Sequence, residues 1–496
     1  MLNNINRYLL GLQSIWLLAG LIPTVTIACL SSMEMGFLPF AAFLIVLVSS
    51  LRLSIFSIQN EKRIISMTFW IYVYIFLGLS PLLQLLSRHL PLEGSYKYRT
   101  IVTSFFIIFY GLLSYESGWW FGSKNNTLFT GTIRKLTASR YISSRRTFFL
   151  SFFSLIGTIF IILNLGGMES ILLAREEQLN MLIEFSKGEN QVKLQILSML
   201  LKVPIFISLI LLWTLWHQGR RTSIYNYHFN FWKIILLVVI FVINLFVNNP
   251  VSSARYWFGT IVLSLLFLTI RWRSKKSFAI IMAAITVSFI LVFPLADTFR
   301  YTTNLDKTVK YESSNRINFL VEKGDYDSFQ QILNTTEYVE DKGISFGKQM
   351  FGTIMFWVPR NLWSSKPVPS GMVVAEHKGY EYTNLSLPLW GEAYMDGGIP
   401  GVILVFVIYG YIISTIEKLY LKSYLHGTNF LNIFVPVYAA YQFFLLRGTL
   451  MSAFAYFIPL VIFIYIGTKR ECFNNGKHFD IHMEPRPREM KNTKYF

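Results

Sequence analysis

A few residues have types and spacings suited to handling a phosphorylated lipid. The turn Asn248-Asn249-Pro250-Val251-Ser252-Ser253-Ala254-Arg255-Tyr256-Trp257 is short and polar and delivers one arginine to the top of an apolar run. Arginine presents a planar fork of donors, keeps its charge at any relevant pH and pairs bidentately with phosphate. The competing reading is interfacial snorkelling beside Tyr256 and Trp257. In Pro359-Arg360-Asn361-Leu362-Trp363-Ser364-Ser365-Lys366-Pro367, prolines bracket a basic pair next to a tryptophan. Stiff backbone there holds Arg360 and Lys366 for a phosphate or for lipid headgroups. In Leu389-Trp390-Gly391-Glu392-Ala393-Tyr394 a carboxylate lies among aromatic residues. Such a group serves as acid or base, or pairs with an arginine and holds the loop. His377, the histidine of Ala375-Glu376-His377-Lys378-Gly379, is a second proton acceptor or a plain surface histidine.

Apart from the 248–257 turn, these residues lie between Asp297 and Gly397, the one long stretch that interrupts an otherwise apolar chain. Loops on a rigid scaffold are where chemistry is commonly placed, and a structureless connection this long is unusual without a role. Its first part is polar and basic, with Arg300, Lys307, Lys310 and Arg316. Asp325 and Asp327 then form an Asp-x-Asp. Metal binding is one reading of it. Capping of a helix that carries Phe329, Ile332 and Leu333 on one face fits better. Metal binding at His377 would need partners that are absent there. Gly347 to Val358 is apolar and too short to span, as an interfacial or re-entrant helix would be.

The rest of the chain must position this loop. Of 496 residues, 53% are hydrophobic and 15% charged, against about 25% charged in soluble proteins. That excludes a soluble enzyme and indicates an all-α polytopic membrane protein. The net charge of +18 fits basic cytoplasmic loops rather than nucleic-acid binding. Twelve runs approach the roughly 20 residues a span needs: about 8–30, 36–51, 64–86, 100–122, 147–166, 194–216, 234–248, 256–270, 277–296, 398–416, 429–446 and 449–467. The ends of the first, second and seventh runs are the softest, and the split between the last two, around Leu446-Arg447-Gly448, is also soft. Basic clusters at Lys124 to Arg146, Arg220-Arg221, Arg271 to Lys276 and Lys469-Arg470 place both termini in the cytoplasm and the long loop outside. The organisation is therefore 1–296 membrane, 297–397 extracytoplasmic loop with short amphipathic helices, 398–467 membrane and 468–496 basic tail. Arg175, in an amphipathic outer stretch, is a weaker candidate, and Glu116 lies too close to the inner end of the fourth run to mark a transport path.

Gly324-Asp325-Tyr326-Asp327-Ser328-Phe329-Gln330, Val358-Pro359-Arg360 through Lys366-Pro367, Gly391-Glu392-Ala393-Tyr394 with Gly398 and Gly401, and the 248–257 turn together resemble the Wzy-type oligosaccharide repeat unit polymerases of O-antigen and capsule biosynthesis. The resemblance implies a GT-C-like membrane glycosyltransferase in the bacterial plasma membrane. It implies an undecaprenyl-pyrophosphate-linked donor and acceptor, with membrane lipid around them, no metal or other cofactor, and en bloc transfer of the glycan on the outer face. A chain-length regulator and a flippase are the implied protein partners. On that reading Arg255 and Arg360 stabilise the leaving pyrophosphate, supported by Arg300, Arg316 and Lys366. Glu392 and then His377 serve as base, or Glu392 orients the clamp, and Trp363, Trp390 and Tyr394 stack on sugars. The rivals are an O-antigen ligase, alike in span count and outer loop, and a lipid-linked oligosaccharide flippase. A flippase would carry internal repeats and midplane charges.

Overall fold

A computed structural model describes residues 2–30, 36–59, 62–124, 140–164, 191–219, 231–250, 252–270, 276–293, 319–423 and 429–470, apart from a few isolated positions. Arg175, Arg300, Lys307, Lys310, Arg316, Arg220-Arg221 and the tail beyond 470 lie outside the described residues. Among the described residues nine helices are long and apolar enough to cross a membrane, the last three being Leu389–Lys422, Phe430–Arg447 and Leu450–Gly467. The chain is a multi-pass membrane protein. At the expected seventh to ninth spans stand shorter apolar helices, Phe231–Val247, Arg255–Thr269 and Ser277–Leu291. Among the described residues nine of the expected twelve spans therefore stand as full-length apolar helices, and the helices at the other three positions, of 15 to 17 residues, fall short of a full span.

The helix Ile64–Ser87 is the centre of the bundle, with nearly all of its apolar length buried. A helix apolar on every side can be satisfied only when other helices surround it. Phe69 stacks on Tyr115 at 3.8 Å, and Tyr72 and Phe76 extend the aromatic column toward the loop. Its middle turns, Val73–Leu79, are widened to π geometry just before Pro81. A second π stretch, Trp16–Leu21, precedes Pro23 in the same way. Proline lacks a donor and crowds the preceding turn, and a widened turn relieves both problems.

Tyr98–Lys124 and Leu389–Ser423 pack backbone to backbone. A Cβ on Gly118 would run into the carbonyl of Val407, and one on Gly410 into the carbonyl of Tyr115. Small residues at such a crossing let two membrane helices approach closely. Gly398, at φ 60° and ψ −153°, breaks the long helix two residues before Pro400. Glycine tolerates that positive φ where a side chain would be strained. The break separates an outer piece bearing Glu392 and Asp396 from the part within the bundle.

Two buried glutamates on this helix each satisfy the start of a different helix. Glu417 accepts from the amide (2.8 Å) and hydroxyl (2.6 Å) of Ser66 in the first turn of Ile64–Tyr72. At the loop end Glu392 accepts from the Leu450 amide at 2.8 Å. First-turn amides have no partner within their own helix, and a carboxylate there also meets the positive end of the helix dipole. At the far end of Leu450–Gly467, Thr468–Arg470 pairs antiparallel with Arg140–Ile142. Glu116, set aside in the sequence reading, pairs bidentately with Arg52.

Candidate functional site

The loop end of the bundle is organised around the tetrapeptide Gly324-Asp325-Tyr326-Asp327. Arg255 is the first residue of Arg255–Thr269 and follows a turn whose amides tie it down. Asn249 accepts from the Ser252 amide at 2.8 Å, and Asn248 accepts from the Trp257 indole at 2.8 Å. So placed, Arg255 forms an ion pair with Asp325.

Arg447, the last residue of Phe430–Arg447, reaches the same tetrapeptide from a second helix. It donates to the carbonyls of Asp325 (2.9 Å) and Gly324 (2.6 Å) and to the carboxylate of Asp327 (3.0 Å). Its guanidinium lies 4.9 Å from the ring centre of Tyr256, the residue after Arg255. The Tyr256 hydroxyl in turn donates to the Asp325 carbonyl at 3.3 Å. Two guanidinium groups 192 positions apart in sequence thus flank one acidic segment. The tetrapeptide is pinned from below as well. The Tyr326 hydroxyl donates to the Phe289 carbonyl at 2.5 Å, and Gln84 donates to the Tyr326 carbonyl at 3.0 Å.

This placement corrects the capping reading of the Asp-x-Asp. The helix begins as expected, at Ser328, and Phe329, Ile332 and Leu333 are all buried. Asp327 stands at its N-cap but makes no side-chain cap bond. Its carboxylate instead accepts from Arg447, from Gln331 at 3.0 Å and from Ser386 at 3.4 Å. Burial pushes the Asp327 carboxyl above the usual carboxylate range, against the pull of Arg447. The opposite face of the helix is buried too, through amides rather than carbon. Gln330 exchanges two hydrogen bonds with the backbone of Leu92, at 2.8 and 2.7 Å.

Glu392 is 1% exposed. Besides the Leu450 amide it accepts from Ser370 at 2.6 Å. Leu450 lies three residues beyond Arg447, so Glu392 holds the turn that carries the second guanidinium. Among the described residues no arginine pairs with it. Close by, Asp396 accepts from the amides of Gln349 (3.1 Å) and Met350 (2.6 Å) and so caps Lys348–Ile354 from another helix. Asp396→Ala is expected to free that helix at a cost of about 1 kcal/mol. Limited proteolysis should then cut between Ser345 and Met355, where the parent chain resists.

The other candidates are held by partners of their own. Arg360 donates to the Lys366 carbonyl at 3.0 Å, and the Lys366 ammonium donates to the carbonyls of Phe356 (2.6 Å) and Val358 (2.8 Å). The basic pair therefore folds its own turn. Burial also pushes the Lys366 ammonium below the usual lysine range. Around it Phe351, Ile354, Trp357 and Leu362 are exposed, while Gly352 meets Pro367 and Met451. Exposed apolar side chains of this kind suit an interfacial element. Trp363 packs edge-on to Phe351 and donates to Ser365 at 3.0 Å. Trp390, expected on sugars, is fully buried between Phe406, Tyr72 and Phe69. Burial in the aromatic column leaves it no free face for stacking. Tyr394 is half-buried. His377 lies 3.1 Å from Asp341 and edge-on to Tyr338.

Residues 385–474 match the family model described as O-antigen polysaccharide polymerase Wzy. The match is to the same family that the loop motifs resemble, and it covers this part of the chain. It takes in Ser386, Glu392, Arg447 and Leu450 of the network described above. Arg255, Asp325, Asp327 and Arg360 lie before it. No curated protein and no solved structure matches the chain.

Arg447 escaped the sequence reading because it sits in the soft boundary between the last two spans. One charge between two apolar runs was the available signal.

Proposed function

We propose that this chain polymerises undecaprenyl-pyrophosphate-linked oligosaccharide repeat units by en bloc transfer on the outer face of the bacterial plasma membrane. It would act there as a GT-C-like glycosyltransferase with both termini in the cytoplasm. The observation that carries the reading is the convergence of Arg255 and Arg447 on one segment at the loop end of a membrane bundle. The Wzy family match supports it independently.

In this reaction the bond between the anomeric carbon of the donor glycan and the pyrophosphate oxygen breaks. The lipid pyrophosphate leaves with the electron pair, and the acceptor hydroxyl oxygen forms the new bond to that carbon after giving its proton to a base. The transition state is oxocarbenium-like. Charge builds on the departing diphosphate, so fixed guanidinium donors stabilise the transition state more than the ground state. Arg255 and Arg447 fill that role. Arg360 and Lys366 are further candidate phosphate contacts, as are Arg300 and Arg316, which lie outside the described residues, and Trp363 and Tyr394 are candidate sugar contacts. Glu392 fits the orienting role, since both of its oxygens already accept bonds. His377 is paired with a carboxylate, Asp341, as general bases commonly are. A chain-length regulator and a flippase are the protein partners this function calls for.

Purified protein incubated with a synthetic undecaprenyl-pyrophosphate repeat unit, without nucleotide sugars, should give a ladder of polymer lengths. Arg255→Ala should slow ladder formation by about 10²–10³ while the protein still elutes as a single species. A full-length ladder from that variant would sink the assignment, as would the absence of any ladder from the parent chain.

A further inference from the structure

The two aspartates facing the arginine pair are not equivalent. Asp327 is 2% exposed in its side chain and is held by Arg447, Gln331 and Ser386. Asp325 is 18% exposed and faces Arg255, itself 13% exposed. Arg447 grips Asp325 through its backbone carbonyl and not its carboxylate. One aspartate is therefore built into the helix start, and the other lies at the rim with its side chain toward the first guanidinium.

We propose that Asp325 is a positioning residue whose carboxylate occupies the Arg255 guanidinium in the resting chain and yields it to the diphosphate of the lipid-linked substrate. This rests on the reading of Arg255 and Arg447 as the diphosphate clamp. A diphosphate offers more negative charge and more acceptor oxygens than one carboxylate, so it competes for a guanidinium fork. Until it arrives, the carboxylate keeps a partly buried cation paired and fixes its orientation. Asp327 stays in place and keeps Arg447 aimed throughout. Such an internal competitor lowers the apparent affinity for substrate by the fraction of time it holds the site.

The test is binding of undecaprenyl pyrophosphate in detergent to the full chain, by calorimetry, for the parent, Asp325→Asn, Arg255→Ala and the double variant. Exchange predicts that Asp325→Asn binds tighter, on the order of tenfold, that Arg255→Ala binds weaker, and that the double variant shows no gain over Arg255→Ala. If the parent binds and Arg255→Ala weakens binding, but Asp325→Asn binds equally or less well, the exchange is wrong and the clamp stands. If Arg255→Ala binds as well as the parent, the clamp itself fails and takes the exchange with it. Hydrogen exchange on the parent chain needs no variant. The amides of Gly324 to Tyr326 should lose protection on adding undecaprenyl pyrophosphate while those from Asp327 onward keep theirs, and unchanged or increased protection at Gly324 to Tyr326 would overturn the proposal.

Discussion

Arg447→Ala is expected to remove polymer almost completely, leaving single repeat units where the parent chain builds long ladders. Two effects add. The first is loss of a donor aimed at developing charge, about 10²–10³ in rate. The second is structural. Asp327 is buried, and removing its partner leaves a charge without its counterion at a cost of about 3–5 kcal/mol. The carbonyls of Gly324 and Asp325 lose their donor in the same step. The two effects separate in the double variant Arg447→Ala with Asp327→Asn, because neutralising the carboxylate removes most of the buried-charge cost. Expression and thermal stability should recover toward the parent while polymer stays absent. Recovery of polymer together with stability would make Arg447 purely structural. Arg447→Lys keeps the charge but not the planar fork that bridges the Asp327 carboxylate and two carbonyls, and it should fall between parent and alanine in both readouts.

Gly118→Val is expected to abolish folded protein although it lies far along the helix from the arginine pair. The new Cβ would meet the carbonyl of Val407 directly, and a backbone atom cannot move aside as the tip of a flexible side chain can. Overpacking a tight contact costs about 1–3 kcal/mol even where neighbours adjust. Here the remedy is to part Tyr98–Lys124 from Leu389–Ser423, which also loosens Trp390 where it lies against Gly111. Native elution on size exclusion in mild detergent measures the outcome. Gly157→Val is the matched control, since a Cβ there meets nothing within 4 Å, and it should behave as the parent. A monodisperse, active Gly118→Val protein would show that the two helices do not close on glycine.

The membrane helices were legible in the sequence because hydropathy is a local property, read within a window of about 20 residues. The aim of Arg255 toward the loop end was legible for the same reason, from a polar turn feeding one arginine into an apolar run. Glu392 was legible as a residue of consequence, but the choice between base and brace was not. Its partners, Ser370 and Leu450, lie 22 and 58 residues away. Trp390 shows the opposite failure. An aromatic residue at the edge of a loop has the same local composition whether it faces a sugar or fills a core.

Local chemistry alone thus determined that the chain crosses a membrane many times, that charge and aromatic residues gather between Asp297 and Gly397, and that this segment resembles repeat unit polymerases. Tertiary structure decided which cations share a site. Arg255, Asp325, Asp327 and Arg447 come together only because Arg255–Thr269 packs along Phe430–Arg447 and both helices present their loop ends to the Gly324–Asp327 segment. An ion pair acts over a few ångströms of space, and separation along the chain carries no information about that distance until the bundle has closed.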